Sequence, residues 1–190
     1  MNYIAVSLYR KLIDHALKEG MKIEDFKDLS TSEMEFLAHI VHVRHYEPGE
    51  KVFSQGDPGV GMYLIFNGSI DIIMHDPSLE PKNTSSEEIF ITRLEKGDFF
   101  GELSLIEDPS HRSASAVAVN KTTLIGFFKP DLIQVIQRNP STGNKISLRL
   151  AEILGKRLRE TTEKVTELVI ELNSIKKDNT GKSSEKHFTS

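Results

Sequence analysis

Apolar positions along this chain change their spacing twice. From Tyr3 to Glu19 they fall at Ile4, Leu8, Leu12 and Ala16, with Tyr9, Ile13 and Leu17 alongside. That is one face of a helix, and Gly20 is its stop. Ser30 and Glu33 stand in capping-box register for a second helix, from Ser32 or Glu33 to about Ile40. The spacing then shortens. Val41 to Val43 with Tyr46, Lys51 to Phe53, Met62 to Phe66, Ser69 to Met74, Ser113 to Val119 and Thr122 to Phe128 predict short strands. Pro48-Gly49 and Gly56-Asp57-Pro58-Gly59 turn the chain between them, and Asn67-Gly68 is a strong short hairpin signal. Asp76 to Glu88 is polar and proline-bearing, which predicts a solvated hairpin tip. Several short strands at this spacing predict a small β-barrel or jelly roll. Helix returns at Leu132 to Arg138 behind Pro130-Asp131, and Asn139-Pro140 breaks it.

The last element repeats differently. Leu154, Leu158, Thr161, Val165, Leu168, Leu172 and Ile175 alternate steps of four and three, a heptad seam that predicts a coiled-coil pair. Ile146, Leu150 and Ile153 form a second stripe, suited to facing the barrel. Thr161, with Thr162 beside it, is polar where packing favours an aliphatic residue. It sets register or meets something polar. The fold class is therefore α+β. Residues 1–30 are a helical extension, 31–140 a barrel, 141–175 a dimer helix and 176–190 a polar tail without periodicity, expected to be disordered.

Charge and composition narrow the function classes. Twenty-four basic and 28 acidic residues leave a net charge of −4 without a basic half, which argues against nucleic-acid binding. Cysteine is absent, so thiolate metal sites and disulfides are excluded. Arg10 and Lys11 interrupt the one apolar stretch near the start, and no run reaches bilayer length, so a cytoplasmic, membrane-free protein is expected. His39, His42 and His45 recur every third residue, but across a helix–strand boundary that spacing does not gather three rings, and no metal is expected. Asp98, Glu102 and His111 have no nucleophile constellation around them, so an enzyme is not expected.

The informative chemistry lies in Gly97-Asp98-Phe99-Phe100-Gly101-Glu102-Leu103-Ser104-Leu105-Ile106, followed by Arg112-Ser113-Ala114-Ser115-Ala116-Val117. Lys96-Gly97-Asp98 is turn chemistry. Gly101 permits an αL backbone or a close approach by a ligand. Gly101 to Ile106 fits a turn or two of helix, whose first N–H groups, through Leu103, lack intrahelical partners and attract an anion. Arg112 supplies a planar fork of donors for phosphate oxygens and Ser113 a hydroxyl beside it. Glu102 is an acceptor suited to ribose hydroxyls. Phosphate donors beside a hydroxyl acceptor describe a nucleotide site.

FGELSLI followed by HRSASAVA resembles the phosphate-binding cassette of cyclic-nucleotide-binding domains, and the likeness extends over roughly residues 35–172. Arg157-Leu158 and Thr161 to Val165 resemble the dimer helix found in receptor proteins of that family. The resemblance implies a cyclic AMP sensor. Phosphate would sit on the backbone N–H groups of Gly101, Glu102 and Leu103 with Arg112 and Ser113, the ribose 2′-hydroxyl on the Glu102 carboxylate, and adenine on Thr161 and Thr162. It implies a homodimer that signals to a protein effector through its C-terminal helix. The residues after Ile175 are too few for the helix-turn-helix domain of the family's transcription factors, so no effector module is expected. A ligand-independent dimeric scaffold is the alternative.

Overall fold

The structure is a computed structural model and describes residues 29–75 and 88–185, with side chains as far as 175. The helix expected over Tyr3 to Glu19 and the loop tip at 76–87 lie outside the described residues. The chain divides into two compact units between Ser147 and Leu148.

In the first unit, α1 (Thr31–Ala38) begins at the capping box expected of Ser30 and Glu33: Glu33 N–H donates to Ser30 Oγ and Ser30 N–H to the Glu33 carboxylate. Eight strands follow: β1 (His42–Tyr46), β2 (Lys51–Phe53), β3 (Gly61–Asn67), β4 (Ser69–His75), β5 (Glu88–Glu95), β6 (Phe99–Phe100), β7 (Ser115–Ala118) and β8 (Thr122–Phe128). They form two four-stranded antiparallel sheets, ordered β1-β8-β3-β6 and β2-β7-β4-β5. The result is a jelly-roll-like sandwich. Ile65, Phe100 and Leu124 come from the first sheet and Ile70, Ala116 and Ala118 from the second; these six make the core between them. Ala116 and Ala118, two apart on β7, show the inward alternation that a two-sheet core demands.

One sequence expectation fails here. Asn67-Gly68 does turn tightly, with Gly68 at φ +92°, but β3 and β4 do not pair with each other. They belong to opposite sheets, so the turn is a corner and not a hairpin. Ser69 explains the capture of β4 by the other sheet. Its N–H donates to Asn120 Oδ1, and its carbonyl accepts from Val119 N–H and Thr122 Oγ1. The hairpin is instead β4 with β5, paired from Ser69 opposite Glu95 to His75 opposite Glu88 with a register shift between Ile72 and Ile73. Asp71 and Arg93 face each other there as a two-bond ion pair at 2.7 and 2.9 Å.

Helix α2 (Lys129–Arg138) carries Pro130 in its first turn, and Asp131 accepts from Phe128 N–H. It ends at Asn139, which also starts the next helix: Asn139 Oδ1 accepts from Thr142 N–H, and Pro140 takes the first helical position. Gly143 permits close packing there, since a Cβ would lie 2.7 Å from Ile136 Cα.

Helix α3 (Pro140–Glu185) is continuous, with Leu148 onward forming the second unit. Ile146 and Leu150 of the second stripe are buried. The helix runs past Ile175 to Glu185, where irregular chain was expected. No proline falls in that stretch, and extending an existing helix avoids the unfavourable nucleation step.

Candidate functional site

The cassette is placed by turn chemistry. Asp98 Oδ2 accepts from Glu95 N–H, while Gly97 N–H and the Asp98 carbonyl bracket Ile65, so β6 is laid along β3. Gly101 follows in the left-handed region at φ +78° and leads into a 3₁₀ turn, Glu102–Leu105. The short helix expected between Gly101 and Ile106 is this turn. Glu102 and Ser104 are buried, whereas Leu103 is about half exposed. The peptide bond Asp108–Pro109 in the following loop is cis.

Arg112 returns to the same place. Its backbone is clamped by the Gly56 turn, with Arg112 N–H donating to the Asp57 carbonyl and Gly56 N–H to the Arg112 carbonyl. The side chain is 6% exposed. Nη2 donates to the Gly61 carbonyl at 2.8 Å, and Nη1 donates to Ser104 Oγ at 3.1 Å and more weakly to the Gly101 carbonyl at 3.4 Å. The guanidinium lies over the Phe53 ring, 4.0 Å from its centroid. Phe53, Tyr63 and Phe100 form one aromatic cluster beneath it. Burial lowers the guanidinium's pKa, and the charges of Tyr63, Asp57 and Glu102 oppose that shift. Nε is buried and has no hydrogen-bond partner. A desolvated cationic donor without a partner is a site's strongest pull on an anion.

Gly101, Glu102 and Arg112, named from sequence, thus come together, and Leu103 and Ser113 flank them on the exposed side. Thr161 and Thr162 lie in the second unit. Each hydroxyl donates to the carbonyl four residues earlier, at Arg157 and Leu158. Sequence reasoning missed Phe53, Gly61, Ser104 and Ser110. A backbone carbonyl such as that of Gly61 leaves no side-chain signal, and buried serines look like surface serines in a sequence. The three histidines go separate ways: His39 to the Glu35 carbonyl, His42 to Asp131, and His45 to Thr123. Among the described residues, no group of three potential metal ligands gathers. A separate groove of about 730 Å³ is lined by Val60, Pro130 and Ile133 and excludes the cassette's Gly101, Glu102 and Arg112. No described helix is long and apolar enough to cross a membrane.

A two-sheet jelly roll that packs an αL glycine and a 3₁₀ turn beside a buried arginine with a free Nε–H has the chemistry to take an anion. The model of the cyclic nucleotide-binding domain matches residues 43–139, and this chain belongs to that family. Among its relatives is the cyclic AMP receptor protein of Thermus thermophilus, 33% identical over 135 residues, which make up 71% of this chain and 57% of that protein. The crystal structure of the Thermus thermophilus catabolite activator protein is similar at a TM-score of 0.63 and 32% identity, over 76% of this chain and 62% of that one. A cyclic nucleotide-binding domain from Methylobacillus flagellatus gives a TM-score of 0.66 at 27% identity, over 84% and 83% of the two chains. The chain spans less than two thirds of the length of the curated receptor proteins it matches.

Proposed function

We propose that the chain is a cytoplasmic cyclic AMP sensor that acts through a protein effector and not through catalysis. The observation that carries this reading is the buried Arg112 guanidinium, whose Nε–H has no partner beside the Gly101 turn. The cyclic phosphate takes that donor, with the N–H groups from Gly101 through Leu103 and the Ser113 hydroxyl around it. Glu102 accepts from the ribose 2′-hydroxyl. Thr161 and Thr162 meet adenine, the role that the family resemblance implies. A ligand that binds one arrangement of the protein more tightly than another shifts it toward that arrangement, and that difference in affinity is what drives a response. The exposed seam of Leu158, Val165, Leu168, Leu172 and Ile175 pairs with a second copy of the chain.

Titration calorimetry with cyclic AMP and cyclic GMP tests the reading. About 22 ligand heavy atoms at ~0.3 kcal/mol each give a dissociation constant on the order of 10 μM, before the charge-assisted contacts are added. Glu102→Gln is expected to weaken cyclic AMP while leaving its 2′-deoxy analogue nearly unchanged. Heat from neither nucleotide would sink the sensor and leave a dimeric scaffold.

A further inference from the structure

We infer, on the strength of the nucleotide reading, that Ser104 backed by Ser110 is a positioning residue that aims Arg112 at the ligand's phosphate. Both serines are buried, at 3% and 8% exposure. Ser104 Oγ accepts from Arg112 Nη1 and from Ser110 Oγ, each at 3.1 Å. A serine oxygen has two lone pairs, so these two bonds fill it and fix where each donor points.

The consequence for Arg112 is geometric. Its Nη1 contact to the Gly101 carbonyl is long, so Ser104 is the partner that holds that nitrogen. Gly61 holds Nη2 from another direction. With both terminal nitrogens tied, the guanidinium plane is set over Phe53, and the edge that carries Nε–H is left to be claimed together with the second Nη2 hydrogen. Without Ser104, the side chain keeps one short bond and can turn about it. Ser110 is itself held, because its carbonyl accepts from Gly59 N–H at 2.8 Å. Gly59 also leaves the room: a Cβ there would run into Ser104 Oγ. A buried hydroxyl pair adds little that two methyl groups would not, unless the hydroxyls serve the cation beside them.

Ser104→Ala is expected to lower cyclic AMP affinity about five- to twentyfold in calorimetry, as loss of a bond to a charged group implies. In an Arg112→Ala background the same change should add almost nothing, since the serine acts through the arginine. Unchanged affinity in Ser104→Ala, or a loss that adds fully to that of Arg112→Ala, overturns the inference. A readout without ligand is the Arg112 Nε–H resonance in ¹⁵N NMR, assigned by its disappearance in Arg112→Ala. It should be distinct and slow to exchange in the unmutated chain, and should broaden or move toward the free-arginine position in Ser104→Ala. If the unmutated chain binds neither nucleotide, the sensor reading falls by itself and this resonance decides: no change in Ser104→Ala overturns the positioning role. Should Ser104→Ala not fold, Ser110→Ala decides on the same two readings.

Discussion

Gly101 and Gly49 have nearly the same backbone, φ +78° and φ +82°, in different surroundings. A Cβ at Gly49 meets nothing within 4 Å, whereas one at Gly101 would run into Arg112 Nη1 and lie 3.1 Å from the Gly61 carbonyl. Alanine at either position takes the left-handed penalty of about 1 kcal/mol, read as a lower melting temperature. Only Gly101→Ala should also lose cyclic AMP affinity, by about tenfold or more, because it displaces the guanidinium. Equal affinities in the two variants would detach Gly101 from the site. Arg112→Ala removes a charge-assisted contact of about 1.5–3 kcal/mol, roughly ten- to a hundredfold in affinity. These residues were legible beforehand because glycine and arginine have few substitutes for an αL turn and a planar cation. Gly61 was not, since its role is played by a carbonyl that every residue has.

Helix α1 depends on a buried charge. Glu33 lies within it, 8% exposed, and accepts from Lys145 Nζ at 2.8 and 2.9 Å and from the fully buried Thr142 hydroxyl at 3.0 Å. The helix before the sandwich is thereby tied to the start of α3. The Lys145 hydrogen bonds, then the Ser30 N–H, lower the Glu33 pKa from 4.5 to about 2. A carboxylate whose folded pKa is depressed stabilises the fold fully above its unfolded value and loses that contribution as the pH falls toward the folded one. Glu33→Gln should therefore lower stability by about 1–3 kcal/mol at pH 7 in urea denaturation, with the gap closing between roughly pH 5 and pH 2. A gap independent of pH would place the effect in packing instead. The capping box was readable in four consecutive residues. The Lys145 and Thr142 partners were not, because more than a hundred residues separate them from Glu33.

At the scale of the whole molecule, the proposed pairing rests on the seam of α3. Leu158 is 69% exposed in the single chain, and the rest of the seam to Ile175 is about half exposed. The second copy proposed above would cover that stripe by knobs-into-holes packing. Sedimentation of the unmutated chain at micromolar concentration is expected to give a dimer, and Leu158→Asp with Leu168→Asp a monomer. A monomeric unmutated chain would overturn the pairing. The intrahelical bonds of Thr161 and Thr162 fit either register-setting or ligand contact, since a hydroxyl bonded to its own backbone can be recruited without unwinding the helix.

Although β5 and β6 were not read as strands, local spacing alone was enough for six of the eight strands, the cap of α1 and the break at Asn139-Pro140. Each of these depends on residues close enough in sequence to share one element's geometry. Tertiary structure decided which strand pairs with which. Asn67-Gly68 is a hairpin signal locally, yet Asn120 and Thr122, some fifty residues on, bring β4 into the other sheet and make the turn a corner. It also decided the setting of Arg112. The sequence supplied the cation and the glycine before it. The Phe53 face, the Gly61 carbonyl and the Ser104–Ser110 pair reach it only because the sandwich folds the Gly56 turn, β2, β3 and the cassette onto one another. Periodicity is a property of neighbours along the chain, and a buried cation's partners are neighbours in space.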